Sequence, residues 1–284
     1  MNISIQGHSG CDIEIVEKED SLLVLKSTKD KSYFKRLQLQ AYKQQNDNCI
    51  GKNILTPEIY EIKETENEAH ILMDYIYANN FVDFFEHASS SQINNFISIF
   101  INYIAEELCN SPIQNISKDI FINKFNSVCS NCEKNELLKD NENVKYILEK
   151  SKVIFDNLDD WIKIPIGKCH GDLTFSNILF ATDNIYFIDY LDSFIETPIQ
   201  DIVKLRQDTK YFWSVMMYHN SYDIVRLNMI FKYIDTQIDN YFKNVDSYNY
   251  IYDTLQLMNI LRILPYVKEE KIKNFVINIL MSLV

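Results

Sequence analysis

Two carboxylates and an amide stand at fixed spacing in the middle of the chain: Asp172, Asn177 five residues on, and Asp189 twelve beyond that. Between the last two, an apolar run Ile178 to Phe180, the turn Ala181-Thr182-Asp183-Asn184 and a second run Ile185 to Ile188 spell a short hairpin. Asp172 and Asn177 enter that hairpin and Asp189 closes its second strand, so three oxygen-bearing side chains converge on one edge. Hard oxygen ligands gathered in this way suit Mg²⁺, which is held by one or two protein oxygens together with substrate phosphates. The alternative is that Asp172 and Asn177 only tie down a tight turn.

Protein kinases carry a catalytic-loop Asp, a metal-binding Asn and, after a hairpin, a metal-binding Asp at this spacing. Here the loop reads His170-Gly171-Asp172, and Asp189 is followed by Tyr190-Leu191 instead of Phe-Gly. At these residues the sequence resembles the aminoglycoside phosphotransferase and choline kinase superfamily, whose motif is His-Gly-Asp, four residues, Asn, then Ile-Asp. The resemblance spans Lys26 to Trp213. Its closest cast, over Cys169 to Phe180 and Ile188 to Trp213, is to phosphotransferases found with bacterial surface-polysaccharide genes. It implies an α+β, bilobal protein-kinase-like fold: a small antiparallel-sheet lobe holding nucleotide over residues 1–76, and a larger, mostly helical lobe over 77–284. It also implies ATP, or GTP, as phosphate donor and Mg²⁺ as cofactor, with Asn177 and Asp189 on the metal and Asp172 at the hydroxyl of a sugar, polyol or amino alcohol. A protein kinase is disfavoured, since no Asp-Phe-Gly or Ala-Pro-Glu is present.

The elements that must position these groups follow from periodicity. Asp12 to Glu17 alternates with period two, Lys18 to Asp20 makes a charged turn, and Ser21 to Leu25 is a nearly continuous apolar strand ending at Lys26. A lysine there can snorkel, but the resemblance places it on nucleotide phosphates. Its usual partner is a glutamate on the next helix, yet Lys31 to Asn46 is a plausible helix without one acidic side chain. Gln40 is the candidate for that place; an amide can orient Lys26 by hydrogen bonding but supplies no charge. Gly7, Ser9 and Gly10 stand before the first strong strand in a chain with only five glycines. They fit either a loop approaching phosphate or an ordinary turn. Two more strands, Thr56 to Ile62 and Ala69 to Ile76, complete the sheet. By resemblance the second leads into the adenine-binding hinge, with backbone from Met73 to Ile76 on the adenine edge and Tyr75 beside the ring.

Beyond Phe81 the period turns helical. Helices are expected over 92–109, opened by Ser91, and over 118–138, 142–161, 198–218, 221–242, 247–264 and 269–283. His170 is assigned to bracing the loop, since nothing in the spacing requires it to do chemistry, and by resemblance Asp201 braces the catalytic loop. Asp192 and Glu196 fit either carboxylates that favour a neutral or cationic acceptor, or solvated loop charges. Cys129 and Cys132 share a helix without a second ligand pair, and read as small buried or surface side chains and not as zinc ligands.

At 284 residues, 46% hydrophobic and 24% charged, the chain can bury one large core or two modest ones. A net charge of −12 argues against nucleic acid or an anionic membrane as partner. No run approaches the length of a membrane span and the N-terminus lacks a signal pattern, so a cytoplasmic protein without an integral membrane segment is expected, of unspecified oligomeric state. Six scattered cysteines suit a reducing compartment. The competing functional reading is a pseudokinase, a nucleotide-binding or scaffolding module, motivated by the missing helix glutamate; the intact set of Asp172, Asn177 and Asp189 favours catalysis.

Overall fold

The alternating residues near the N-terminus form strands β1 (Ile3–Gln6), β2 (Asp12–Lys18) and β3 (Ser21–Thr28), followed by helix α1 (Phe34–Asn46) and strands β4 (Ile54–Leu55), β5 (Ile59–Glu64) and β6 (Ala69–Asp74). The chain continues through α2 (Phe81–His87), α3 (Ser90–Asn110), β7 (Ile113–Ser117), α4 (Asp119–Glu133), α5 (Glu142–Asp156) and β8 (Trp161–Pro165). Then come β9 (Ile178–Phe180), β10 (Ile185–Phe187), α6 (Pro198–Tyr211), α7 (Trp213–Met216), α8 (Ile224–Phe242), α9 (Asp246–Leu261) and α10 (Glu270–Met281). The computed structural model describes residues 3–6, 11–19, 21–47, 53–182 and 184–284.

The chain divides into two compact units: Met1–Ala88 with His170–Asp192, and Ser89–Cys169 with Ser193–Val284. This grouping differs from a break after residue 76 because the β9–β10 hairpin joins β4 in a three-stranded sheet, with β4 parallel to β10. The motif hairpin is thereby built into the unit that carries Lys26. The main sheet of that unit has the order β1-β2-β3-β6-β5 and is antiparallel throughout. Lys26 stands in β3 between Ile13 and Ile71 of its neighbours. Helix α1 lays Phe34, Leu37 and Ala41, at i, i+3 and i+7, against Cys11, Ala69 and Ile71. The same face buries Gln40 and Gln44. Burying amides on an apolar face is costly unless they are bonded, so the helix is held at its polar as well as its apolar contacts.

In the second unit, α6 is buried from Pro198 to Thr209 and packs against α3, α8 and α9. A sequence that is buried on all sides but carries Arg206 must satisfy that charge internally. Asp235 takes Arg206 Nε and Nη2 at 2.9 and 3.0 Å, and the Tyr252 ring lies 4.8 Å from the guanidinium carbon. No helix among the described residues is long and apolar enough to cross a membrane.

Several expected helix limits are corrected. The helix expected over 142–161 ends at Asp156, and Trp161 opens β8, where the exposed Trp161 and Lys163 alternate with the buried Ile162 and Ile164. The helix expected over 198–218 is broken by Phe212 in a left-handed conformation, φ 62°. The break is bonded: Asp208 accepts the Ser214 backbone N–H and hydroxyl at 2.6 and 2.8 Å, starting α7. The helix over 118–138 stops at Glu133, where burial pushes the Cys132 and Cys129 thiols up to about 12 and about 11. Helix α3 is capped by Ser89 and not Ser91, through a reciprocal box with Gln92.

Candidate active site

The loop before β9 is pinned by its own motif residues. Gly171 has φ +86°, and a Cβ there would lie 2.1 Å from the Leu191 carbonyl oxygen. No other residue type fits that backbone without displacing it. His170 is fully buried. Its Nδ1 receives the Asp172 backbone N–H at 3.2 Å, which leaves Nε2 as the protonated nitrogen, donating to the Ile188 carbonyl at 2.8 Å. The Leu191 N–H then returns to the His170 carbonyl at 2.9 Å. The imidazole, in one tautomer, thus joins the loop at Asp172 to the residue before Asp189, and the His170 backbone carbonyl holds the chain after it.

That arrangement carries a pH dependence. Burial pushes His170 down to about 4 from 6.5, against the opposing pull of Asp172 and the bond to Ile188. The unfolded imidazole takes a proton below pH about 6.5, whereas the folded one does so only near pH 4. The stability is therefore complete above the upper value and declines as pH falls between the two, by about 3 kcal/mol in all. Urea unfolding at about pH 7 and about pH 5 is expected to show roughly 2 kcal/mol more loss in the wild type than in His170→Gln. An equal loss in both would place the titration elsewhere.

Asn177 lies in a 3₁₀ turn, Phe175–Asn177, directly before β9. Its Nδ2 donates to the Asp172 carbonyl at 2.7 Å and to Asp172 Oδ2 at 3.3 Å. With both amide hydrogens spent on Asp172, the oxygen Oδ1 is the atom left to ligate. The Ile188 N–H donates to the Asn177 carbonyl at 3.0 Å, so the hairpin register brings Asn177 to the residue before Asp189. Asp189 itself has φ 60°, a left-handed conformation that side chains adopt at a cost and that marks functional turns. Its carboxylate is one-third exposed, at 32%, and meets Lys26 Nζ at 2.7 Å.

Lys26 is 3% exposed. Its second contact is Gln40 Oε1 at 3.5 Å, and Gln40 Nε2 donates to the Tyr33 hydroxyl at 3.3 Å. Burial alone would lower the Lys26 pKa; the charge and hydrogen bond of Asp189 outweigh it and raise the value, so the ammonium is kept. Gln44, Ile71, Met73 and Tyr190 line the same small cavity. The donor set fits Mg²⁺: an amide oxygen from Asn177 and a carboxylate from Asp189 are both hard oxygens. Among the described residues no group of three or more His, Cys, Asp or Glu could hold a metal. A metal ion here would need oxygens from the substrate or water to fill its shell.

Other expected residues are placed less centrally. The strand carrying Met73 ends at Asp74, and the Tyr75 N–H donates to the Leu22 carbonyl at 3.3 Å. Tyr75 meets Tyr77 edge to face at 4.9 Å, and Ile76 is half-buried. The backbone donor of Tyr75 is thus committed within the sheet. Asp192 is exposed. Glu196 accepts the Ser193 N–H at 2.8 Å through Oε1 and the Cys169 thiol at 3.3 Å through Oε2, which makes it a brace of its own turn. Asp201 is fully buried in the first turn of α6. Gly7, Ser9 and Gly10 lie outside the described residues.

One side chain at the site went unnoticed in the sequence. Lys43 Nζ donates to the Leu191 carbonyl at 2.8 Å and would stand 3.4 Å from a Cβ at residue 171. It lies three residues after Gln40, hence on the same face of α1, which was the available signal.

No protein-family model and no curated protein matches the sequence. Solved structures do match. A protein assigned as a fructosamine-3-kinase from Haemophilus somnus 129PT aligns with a TM-score of 0.62 and 13% identity, over 99% of this chain and 91% of that one. A glucosamine kinase in complex with glucosamine, ADP and inorganic phosphate aligns with a TM-score of 0.61 and 11% identity, over 100% and 76% of the two chains. A thermostable mutant of aminoglycoside phosphotransferase APH(4)-Ia, in ternary complex with AMP-PNP and hygromycin B, aligns with a TM-score of 0.61 and 7% identity, over 100% and 92%. Identities this low speak to fold alone. The chain has an α+β, protein-kinase-like fold, with a small antiparallel sheet and a helical C-terminal part.

Proposed function

We propose that the protein is a small-molecule kinase that moves the γ-phosphate of ATP, or of GTP, to a hydroxyl of a sugar, polyol or amino alcohol. The observation that carries this reading is the bonded chain from Asp172 through Asn177 and Ile188 to Asp189 and Lys26. The solved neighbours named with ADP or AMP-PNP and with glucosamine or hygromycin B support the nucleotide and the class of acceptor. Work in surface-polysaccharide precursor synthesis and a cytoplasmic location belong to the same proposal.

Phosphoryl transfer has a loose transition state, so positioning and electrostatics carry it. Lys26 supplies a buried positive charge for phosphate oxygens. Asn177 Oδ1 and Asp189 would hold Mg²⁺, which neutralises phosphate charge when bound. Asp172 aligns the acceptor hydroxyl. A carboxylate is too weak a base to strip an alcohol beforehand, so it takes the proton late, as the oxygen–phosphorus bond forms. His170 does no chemistry in this scheme; its two bonds fix where Asp172 and Asp189 stand. The exposed Asp192 is a candidate for disfavouring anionic acceptors.

The test is a panel. Purified protein with Mg·ATP is offered sugars, polyols, amino alcohols and aminoglycosides, and ADP release above the acceptor-free rate is expected for at least one class. Nucleotide binding without acceptor-stimulated release across all classes would support the binding-module reading instead, for which Gln40 in the place of an acid is the motivating observation.

A further inference from the structure

We propose that Gln40 lets this site take up a nucleotide anion before, and without, its metal ion, with Lys26 passing from Asp189 to phosphate as the nucleotide enters. The inference rests on the phosphotransferase reading and concerns how the same site is loaded.

Lys26 is 3% exposed and among the described residues has one carboxylate partner, Asp189, at 2.7 Å; the Gln40 amide at 3.5 Å is neutral. Helix α1 carries Lys35, Arg36 and Lys43 and no acid at all, and Lys43 sits on the Leu191 carbonyl close to the loop. A metal ion arriving alone at Asp189 would have to break the ion pair and leave a buried ammonium beside an amide and the Tyr33 hydroxyl. Stranding a buried charge in this way is strongly unfavourable. A nucleotide arriving alone meets the opposite situation. Its phosphates replace the carboxylate that Lys26 gives up, and no helix carboxylate stands behind Lys26 to repel them. Asp189, a third exposed, can then turn to a cation or to water. A glutamate at position 40 would reverse both effects, since it would hold Lys26 after Asp189 left and would repel a metal-free polyphosphate.

Calorimetry on the full chain tests this with ATP in excess EDTA and with ATP in excess Mg²⁺. The expected result is metal-free affinity within about tenfold of the Mg·ATP value, and no change of melting temperature with MgCl₂ alone. Gln40→Glu is expected to weaken metal-free ATP roughly ten- to a hundredfold, the scale of one added charge a few ångströms away, and Mg·ATP much less. Binding of ATP by the wild type only when Mg²⁺ is present would overturn the inference and leave the phosphotransferase reading standing. Binding of neither form would overturn that reading and the inference with it. The wild-type pair of titrations decides even where Gln40→Glu does not fold.

Discussion

Replacing Asp172 by asparagine is expected to lower phosphate transfer by roughly 10²- to 10⁴-fold, the usual scale for a positioned acid or base, while nucleotide still binds. The substitution spares the structure around it. The backbone N–H that Asp172 gives to His170 and the carbonyl that it offers to Asn177 are untouched, and an amide oxygen can still receive Asn177 Nδ2. The side chain is only half-buried, so the melting temperature should barely move. The quantity to measure is acceptor-dependent transfer, because background hydrolysis of ATP need not use Asp172. Transfer at the wild-type rate in Asp172→Asn would remove the carboxylate from the chemistry.

Gly171→Ala should have a comparable effect on activity by a different route, and a larger one on stability. The left-handed φ of +86° costs an alanine roughly 1 kcal/mol. The greater obstacle is the Leu191 carbonyl, 2.1 Å from where the methyl would sit and itself held by Lys43. Either the His170 loop or the segment after Asp189 must move. A loss of about 2–4 kcal/mol in urea unfolding is expected. Displacing Asp172 by an ångström relative to Asp189 would cost roughly a hundredfold in transfer even in molecules that fold. A variant of wild-type stability would mean that the loop has a second backbone path around Leu191.

The motif hairpin was legible because its logic is local. Five residues from Asp172 to Asn177 and two short apolar runs leave few ways to place Asp189, and the structure connects the three through the Asn177 side-chain amide on the Asp172 carbonyl and the Ile188 N–H on the Asn177 carbonyl. The strand that carries Lys26 was legible from its apolar run, although it continues two residues further, to Thr28, and Gln40 was found as the stand-in for the helix glutamate that the resemblance implies. What could not be read is set by distant partners. Lys43 was not singled out, since its acceptor is a carbonyl far along the chain. Trp161 continued a helical stripe by hydropathy alone, and only its pairing with Ser117 of β7 makes it a strand residue. Phe212 breaks a helix that its own sequence would continue, because Asp208 captures Ser214. Glu196 carried a charge that could face solvent or substrate, and the Ser193 N–H of its own turn together with the distant Cys169 thiol decide where it points.

The bonded path from Asp172 to Lys26 is claimed to move a phosphoryl group and not merely to hold a nucleotide. Phosphorus NMR of wild-type protein with Mg·ATP and an acceptor found in the panel observes that step directly. The expected result is loss of the γ-phosphorus signal with matching growth of a phosphate monoester on the acceptor and of ADP. Growth of inorganic phosphate alone, or an unchanged ATP spectrum with every acceptor class, would contradict it.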